Sequence, residues 1–264
     1  MCVTFARVVR YGLLGRSLGH SFSRKYFTDK FAREGLADHD YENYELDSLE
    51  ELPRLLASEP ALRGFNVTIP YKRQILPYLD GLDPVAARVG AVNTVVRSAD
   101  GALTGYNTDV VGFAQTLDAH ADSPALREVR ERRFALVLGT GGASDAVLEV
   151  LRQRQHPARR VSRSPAGDEL GYPQLEGLEW RVPRLLVNTT PVGTAPDLEA
   201  APPIPLDRLG PEHLVVDLIY NPPQTALLRA AAERGAQTAN GLRMLHGQAD
   251  AAWALWQRDR APQT

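Results

Sequence analysis

The sequence predicts an α/β fold built from two domains, and three features carry that prediction. Apolar, β-prone runs alternate with segments of helical periodicity along most of the chain. One of these runs, Phe134–Leu138, is continuously apolar and passes straight into a glycine-rich turn. Such a strand is characteristic of a parallel sheet covered on both faces. At 264 residues the chain is long enough for one large domain or two ordinary ones, burying roughly 70–75% of its unfolded surface.

The elements follow in order. Val8–Leu14 reads as a strand ended by Gly15. Arg24–Glu34 is a helix with Ser23 as its N-cap. Tyr41–Leu46 is a short strand, and Ser48–Ser58 is a helix opened by a capping box at Ser48 and Glu51. Leu62–Val67 is a strand, and Pro70 breaks the chain after it. Asp83–Val89 is a short helix. Ala91–Arg97 and Ala102–Tyr106 flank Ser98–Gly101 as a hairpin, and Thr108–Ala119 starts a helix.

The stretch His120–Arg133 is polar, contains Pro124 and reads as the far side of a domain crossing. After Phe134–Leu138 come a helix over Ala143–Gln155 and a strand over Ala158–Ser162. Leu185–Asn188 and Leu214–Leu218 are short apolar strands. Gln224–Arg234 is a helix ended by Gly235, and Ala236–Ala239 is a last short strand. Gly241–Arg258 closes the chain as a helix. Its stripe of Leu242, Leu245, Ala249, Ala252, Trp253 and Trp256 is read as core packing rather than a cofactor box.

Composition narrows the function classes. Hydrophobic residues make up 44% and charged residues 23%, which excludes a disordered chain, a collagen-like fibre and a coiled-coil rod. The net charge of −2 argues against a dedicated nucleic-acid binder. Cys2 is the only cysteine, so an intrachain disulfide and a CxxC site are impossible. No apolar run reaches the roughly 18–20 residues needed to span a bilayer, and the N-terminal stretch has no signal-peptide pattern. A cytoplasmic protein without membrane or nucleic-acid partners is expected. The six histidines show no metal-binding spacing, and G-x-S-x-G is absent.

A buried strand, a glycine-rich turn and a helix form a dinucleotide-binding unit, because glycines admit the pyrophosphate to the backbone and the helix offers unpaired N–H groups. Here the turn is Gly139-Thr140-Gly141-Gly142-Ala143, with Ser144 in place of a third glycine. An ordinary βα turn is the alternative. Enzymes using NAD usually carry an acidic residue about 20 residues on. No Asp or Glu occurs between Val150 and Gly167. Ser162, Arg163 and Ser164 stand there instead, which suits a 2′-phosphate and favours NADP. Arg152, Arg154, Arg159 and Arg160 are read as solvating a helix end.

In the first half, Asn66 and Thr68 lie two apart at a strand end and face one side if the chain stays extended; Lys72 follows Pro70. Asn93 stands beside another strand, and Asn107, Thr108 and Asp109 precede a helix. Ser21 and Ser23 again lie two apart, after His20. Separately these residues could be caps or solvated surface groups. Together they describe a site rich in hydroxyls and amides with one Lys/Asp pair, as a small polyhydroxylated acid needs.

These motifs in sequence resemble shikimate dehydrogenase. The resemblance rests on Ser21-Phe22-Ser23, N-V-T-I-P-Y-K at 66–72, G-A-V-N-T at 90–94 and G-Y-N-T-D at 105–109. It continues through G-T-G-G-A-S at 139–144, N-T-T-P-V-G at 188–193, D-L-I-Y-N-P at 217–222 and N-G-L-R-M-L-H-G-Q-A at 240–249. The resemblance implies an α/β substrate domain over residues 1–112 and a Rossmann-like NADP-binding domain over 113–240. A C-terminal helix over 241–264 then returns to the substrate domain. It implies an NADP-dependent oxidoreductase, monomeric or homodimeric, that reduces 3-dehydroshikimate to shikimate.

By the same resemblance Lys72 and Asp109 are the catalytic pair. Ser21 and Ser23 meet the substrate carboxylate. Thr68, Asn93, Asp109, Tyr220 and Gln248 bind ring hydroxyls or the carboxylate, with Lys72 and Asn66 beside them. Gly139, Thr140, Gly141, Gly142 and Ala143 hold the pyrophosphate, and Ser162, Arg163 and Ser164 the adenosine phosphate. Thr189, Leu218, Gly241 and Met244 complete the cofactor site, the last two near the nicotinamide. Two departures stand out: the family usually has Asn-Arg-Thr at 162–164, and Pro165–Pro183 is short and rich in Gly and Pro, so the usual helix there is expected to be missing. The alternatives are a quinate/shikimate dehydrogenase using NAD and a non-catalytic nicotinamide-binding regulator.

Overall fold

The computed structural model describes residues 8–19, 21–129, 133–180 and 183–258; Cys2, His20 and residues 130–132 lie outside them. Contacts divide the chain into two units, one running to Thr108 and taking up the residues from Ala249 onward, the other spanning Asp109–Gln248.

In the first unit, β1 (Val9–Gly15), α1 (Ser23–Arg33) and β2 (His39–Glu45) come first. A 3-10 turn at Leu49–Glu51, α2 (Leu52–Ser58), β3 (Leu62–Val67) and α3 (Tyr71–Gln74) follow. β4 (Gly81–Leu82), α4 (Pro84–Val89), β5 (Thr94–Arg97) and β6 (Leu103–Tyr106) complete it. The sheet order is β2-β1-β3-β5-β6-β4. β1 pairs in parallel with β2 and β3, while β3/β5 and β5/β6 are antiparallel.

The apolar residues of these strands form two clusters. One gathers Leu14, Phe65, Tyr71, Ile75, Val92 and Val95. The other packs Tyr11, Phe27, Phe31 and Tyr41 against Ala249, Ala252 and Trp256 of the C-terminal helix. The Trp256 ring stacks on Tyr11 at 4.6 Å between centroids, and its Nε1 donates to the Val95 carbonyl at 3.0 Å. Gly64 makes room for this crossing, since a Cβ there would lie 2.2 Å from Trp256 Nε1.

Three local expectations are corrected in this unit. Ser23 is the first residue of α1 and not its N-cap; Phe22 holds that position without a side-chain bond. Ser21 Oγ accepts the Ser23 N–H at 3.3 Å, so the helix begins one residue early. The capping box at Ser48 and Glu51 forms, but the helix after it is split into the 3-10 turn and α2. Pro53 lacks the N–H that would carry α-helical bonding across the junction. Strand β2 starts at His39, ahead of the expected Tyr41, because its register on β1 begins with Val9 opposite His39.

The second unit begins with α5 (Asp109–Asp118), α6 (Pro124–Val129), β7 (Phe134–Leu138) and α7 (Gly142–Gln153). β8 (Ala158–Ser162), β9 (Leu170–Gly171), a 3-10 turn at Tyr172–Leu175 and β10 (Pro183–Asn188) follow. β11 (Leu214–Asp217), α8 (Ala226–Glu233), β12 (Gln237–Ala239) and α9 (Leu242–Arg258) close the described chain. The sheet is parallel throughout, in the order β12-β11-β10-β7-β8-β9. The order reverses between β7 and β10, the switch point at which doubly wound sheets bind ligands beyond their strand ends.

The polar stretch after α5 is not a bare crossing. It contains α6, which starts at Pro124, buries Ala125, Leu126 and Val129, and packs on β10. Helix α8 starts at Ala226 because the Thr225 hydroxyl caps it, accepting the Leu228 N–H at 3.3 Å. In the α9 stripe Ala249, Ala252 and Trp256 are buried, but Leu242 in its first turn is 40% exposed. Over residues 165–180 there is no α-helix, only β9 and the 3-10 turn.

Candidate active site

Strand pairing builds the polar site of the first unit. Asn66 near the end of β3 lies opposite Thr94 at the start of β5. Asn66 is 4% exposed and its amide is committed at both ends. Its Oδ1 accepts from the Tyr41 hydroxyl at 2.8 Å. Its Nδ2 donates to the Asn93 carbonyl at 3.2 Å and the Thr94 hydroxyl at 3.1 Å. Asn93 then fixes Thr108: its Oδ1 accepts the Thr108 N–H at 2.7 Å, and its Nδ2 donates to the Thr108 hydroxyl at 3.0 Å.

At its other end the network reaches Ser23, whose hydroxyl engages the Tyr41 oxygen. Full burial pushes the Tyr41 phenol well above its ordinary value, so it remains a neutral donor. One chain of hydrogen bonds therefore links Ser21, Ser23, Tyr41, Asn66, Asn93 and Thr108, the residue before Asp109.

Thr68 lies one residue past β3 and is half-buried. Its N–H donates to the Leu14 carbonyl at 2.9 Å, and its carbonyl accepts from Tyr71, turning the chain into α3. Helix α3 carries Lys72, also half-buried, whose carbonyl accepts the Val92 N–H at 2.7 Å. The turn bearing the lysine is thus tied to the segment bearing Asn93.

In the second unit the glycine turn leaves β7 at the switch point. Gly139 has φ +111°, and a Cβ there would sit 2.6 Å from Thr189 Oγ1. The Thr189 hydroxyl donates to the Leu138 carbonyl at 2.6 Å, so this side chain clamps the turn against the end of β10. Gly141 is the N-cap of the 12-residue helix α7, which has no side-chain cap. A Cβ on Gly141 would meet nothing within 4 Å. Open backbone before an uncapped helix start fits a pyrophosphate. Thr140 is exposed, Gly142 and Ala143 open the helix, and Ser144 is fully buried.

Asp145 in the first turn of α7 would repel a phosphate. It is paired instead with Arg160 at 2.7 Å. Arg152 pairs with Glu149 at 2.7 Å and Arg154 with Asp118 at 2.8 Å. Three of the four arginines expected to solvate a helix end therefore make ion pairs, and Arg159 is exposed. Carboxylates brought in from other elements, or one turn away on the same helix, cause the difference. At the end of β8, Ser162 is buried and its Oγ accepts the Ser164 N–H at 3.1 Å. Arg163 and Ser164 are exposed.

The strand end of β11 carries Asp217, fully buried and held by three donors. Its Oδ1 accepts from Asn188 Nδ2 at 3.0 Å and the Ile219 N–H at 3.1 Å, and its Oδ2 accepts from the Thr225 hydroxyl at 2.6 Å. Burial raises its carboxyl above the ordinary range, against those donors. This fixes the loop with Leu218 and Tyr220, both half-buried. Gly241 packs on the loop; its N–H donates to the Ile219 carbonyl at 3.0 Å, and a Cβ would lie 1.9 Å from the Leu218 carbonyl oxygen. Met244 is buried, and a Cβ on Gly112 of α5 would lie 2.3 Å from its carbonyl oxygen. Gln248 Nε2 donates to the Leu245 carbonyl at 3.0 Å, and Asp109 is 5% exposed at the start of α5.

Sequence reasoning passed over Tyr41 and Thr225, and it gave Asn188 and Asp217 no role beyond their place in motifs. An acidic residue closing an otherwise apolar strand was the available signal for Asp217; nothing local marks Tyr41. Among the described residues no group of three or more His, Cys, Asp or Glu could hold a metal ion, and no helix is long and apolar enough to cross a membrane.

A family model described as the shikimate dehydrogenase substrate binding domain matches residues 13–95. The shikimate dehydrogenase (NADP(+)) of Thermus thermophilus is 38% identical over 256 residues, 94% of this chain and 92% of the relative. The crystal structure of Thermus thermophilus shikimate 5-dehydrogenase in complex with NADP(H) and shikimate has a TM-score of 0.81 at 36% identity, covering 95% of this chain and 94% of that one. Quinate dehydrogenase from Corynebacterium glutamicum in complex with NAD has a TM-score of 0.80 at 26% identity, covering 96% and 97%.

Proposed function

The chain belongs to the shikimate dehydrogenase family, and from that premise we propose that Lys72 and Asp109 perform its chemistry. The reaction is the reversible NADPH-dependent reduction of 3-dehydroshikimate to shikimate, in the pathway to chorismate and the aromatic amino acids. The observation that carries this is the 38% identity to an NADP-dependent shikimate dehydrogenase across 94% of the chain. The quinate dehydrogenase in complex with NAD has the same fold at only 26% identity, and the arginine after β8 also favours NADP over NAD.

NADPH, when bound, supplies the hydride. Adding it to a ketone leaves negative charge on the oxygen. In our reading the Lys72 ammonium meets that oxygen and stabilises the charge, and Asp109 orients the ammonium and a neighbouring ring hydroxyl. Ser21 and Ser23 offer hydroxyl donors to the substrate carboxylate. Thr68, Asn93, Tyr220 and Gln248 bind the ring hydroxyls or the carboxylate. Asn66 supports Asn93 from beneath, as its committed amide indicates. Gly139 to Ala143 hold the pyrophosphate, Ser162 to Ser164 the adenosine phosphate, and Thr189, Leu218, Gly241 and Met244 frame the rest of the cofactor. A cytoplasmic setting and a monomeric or homodimeric state belong to the same reading; the single cysteine fits a reducing compartment.

Lys72→Ala tests the assignment. Loss of oxyanion stabilisation lowers turnover by about 10²–10³, and by up to about 10⁴ if Lys72 also moves the proton. Shikimate binding, measured by calorimetry, changes far less. Turnover equal to that of the unaltered enzyme overturns the role of Lys72.

A further inference from the structure

The segment from Ser162 to Leu175 replaces a helix with a short knot whose parts hold one another. Strand β9 lies parallel to β8, with Val161 opposite Leu170 and Ser162 opposite Gly171. Pro165 closes over Gly171, where a Cβ would sit 3.4 Å from Pro165 Cγ. The Gly171 N–H donates to Gln174 Oε1 at 2.6 Å, anchoring the 3-10 turn. Glu169 accepts the Ala166 N–H at 3.1 Å and lies 3.6 Å from Arg160, so the loop between the strands is tied at both ends.

Arg163 and Tyr172 are the residues that follow the last pair of this ladder, Ser162 opposite Gly171. Tyr172 is half-buried, its ring packed on the core cluster that contains Leu136, Val161 and Leu175. Burial pushes its phenol up while the positive charge of Arg163 acts the other way, so the raised phenol stays a neutral donor.

We propose that Tyr172 is a further cofactor-binding residue, its hydroxyl donating to the adenosine 2′-phosphate beside Arg163. The proposal rests on the NADP reading of Ser162–Ser164. A phosphate monoester presents three acceptor oxygens near neutral pH. A guanidinium fork takes two of them, and a neutral phenol, which only donates to such a partner, takes the third. The ring needs no ordering on binding, since the core already holds it. NAD carries no 2′-phosphate, so this hydroxyl separates the two cofactors.

Calorimetric titration of the full-length protein with NADP⁺ and with NAD⁺ tests this, comparing the unaltered chain with Tyr172→Phe and Arg163→Ala. Tyr172→Phe is expected to weaken NADP⁺ about tenfold, as for one hydrogen bond to a charged group, and to leave NAD⁺ unchanged. Arg163→Ala is expected to weaken NADP⁺ at least as much. Unchanged NADP⁺ binding by Tyr172→Phe, with Arg163→Ala still weakened, overturns the role of Tyr172 and leaves the NADP reading standing. Equal losses for both cofactors also overturn it, since that marks a merely structural ring. Unchanged NADP⁺ binding by both variants overturns the 2′-phosphate site itself, and Tyr172 with it.

Discussion

Tyr41 joins the serines at the start of α1 to the asparagines at the ends of β3 and β5 through a single hydroxyl. Removing it leaves the buried Asn66 Oδ1 without its donor, and a buried acceptor left unpaired costs about 1–3 kcal/mol. Tyr41→Phe is therefore expected to lose about that much stability in denaturant unfolding; a loss below measurement error contradicts the network. Much of this site is readable from local sequence. Asn66, Thr68 and Asn93 are short polar residues at strand ends, where the next apolar run cannot use them. Tyr41 is not readable, because its partners come from α1 and β3 and its own surroundings suggest only an aromatic core residue. The same holds for Arg160, whose partners Asp145 and Glu169 arrive from other elements.

Elements announce themselves when they are long enough to show a period. Phe134–Leu138 and Ala158–Ser162 form strands over the bounds expected for them. The strands at Gly81–Leu82 and Leu170–Gly171 and the single helical turn at Tyr71–Gln74 are too short to show one. Helix α6 was hidden by its charged residues, although Ala125, Leu126 and Val129 lie on one face. The crossing of α5 and the first turns of α9 depends on two small residues. A Cβ on Gly112 would press on the Met244 carbonyl, and one on Gly247 would lie 3.0 Å from Gly112 Cα. Gly112→Ala forces these backbones apart and is expected to cost about 1–3 kcal/mol, read from a denaturant midpoint. An unchanged midpoint means the helices do not cross so closely. At the end of β11 the sign of the Asp217 effect matters. Its carboxyl is raised by burial, so whatever it adds to stability is present below the ordinary carboxylate range and lost as pH rises through its raised value. What the group supplies is the fixed loop that carries Leu218 and Tyr220.

The fold class and its division of labour follow from patterns that run along the whole chain. Alternating periodicity predicts layers of helices on sheets, and the apolar strand with its glycine turn marks the second sheet as doubly wound. Strand order is less legible, since only long-range pairing sets β4 beside β6 in the first unit and β9 beside β8 in the second. The extent of each unit is also a tertiary matter. Contacts divide the chain after Thr108 and within α9 after Gln248. Nothing in the periodicity of α9 marks that point, because one unbroken helix serves both units. What the molecule does with these parts is tested most directly by following the absorbance of the reduced nicotinamide with shikimate or quinate, each paired with NADP⁺ or NAD⁺. The expected result is turnover that is greatest with shikimate and NADP⁺, with NADP⁺ preferred over NAD⁺ by at least about tenfold in kcat/KM, as for one charged contact to the 2′-phosphate. Turnover that is greatest with quinate and NAD⁺, or absent in all four pairings with folded protein, contradicts the account.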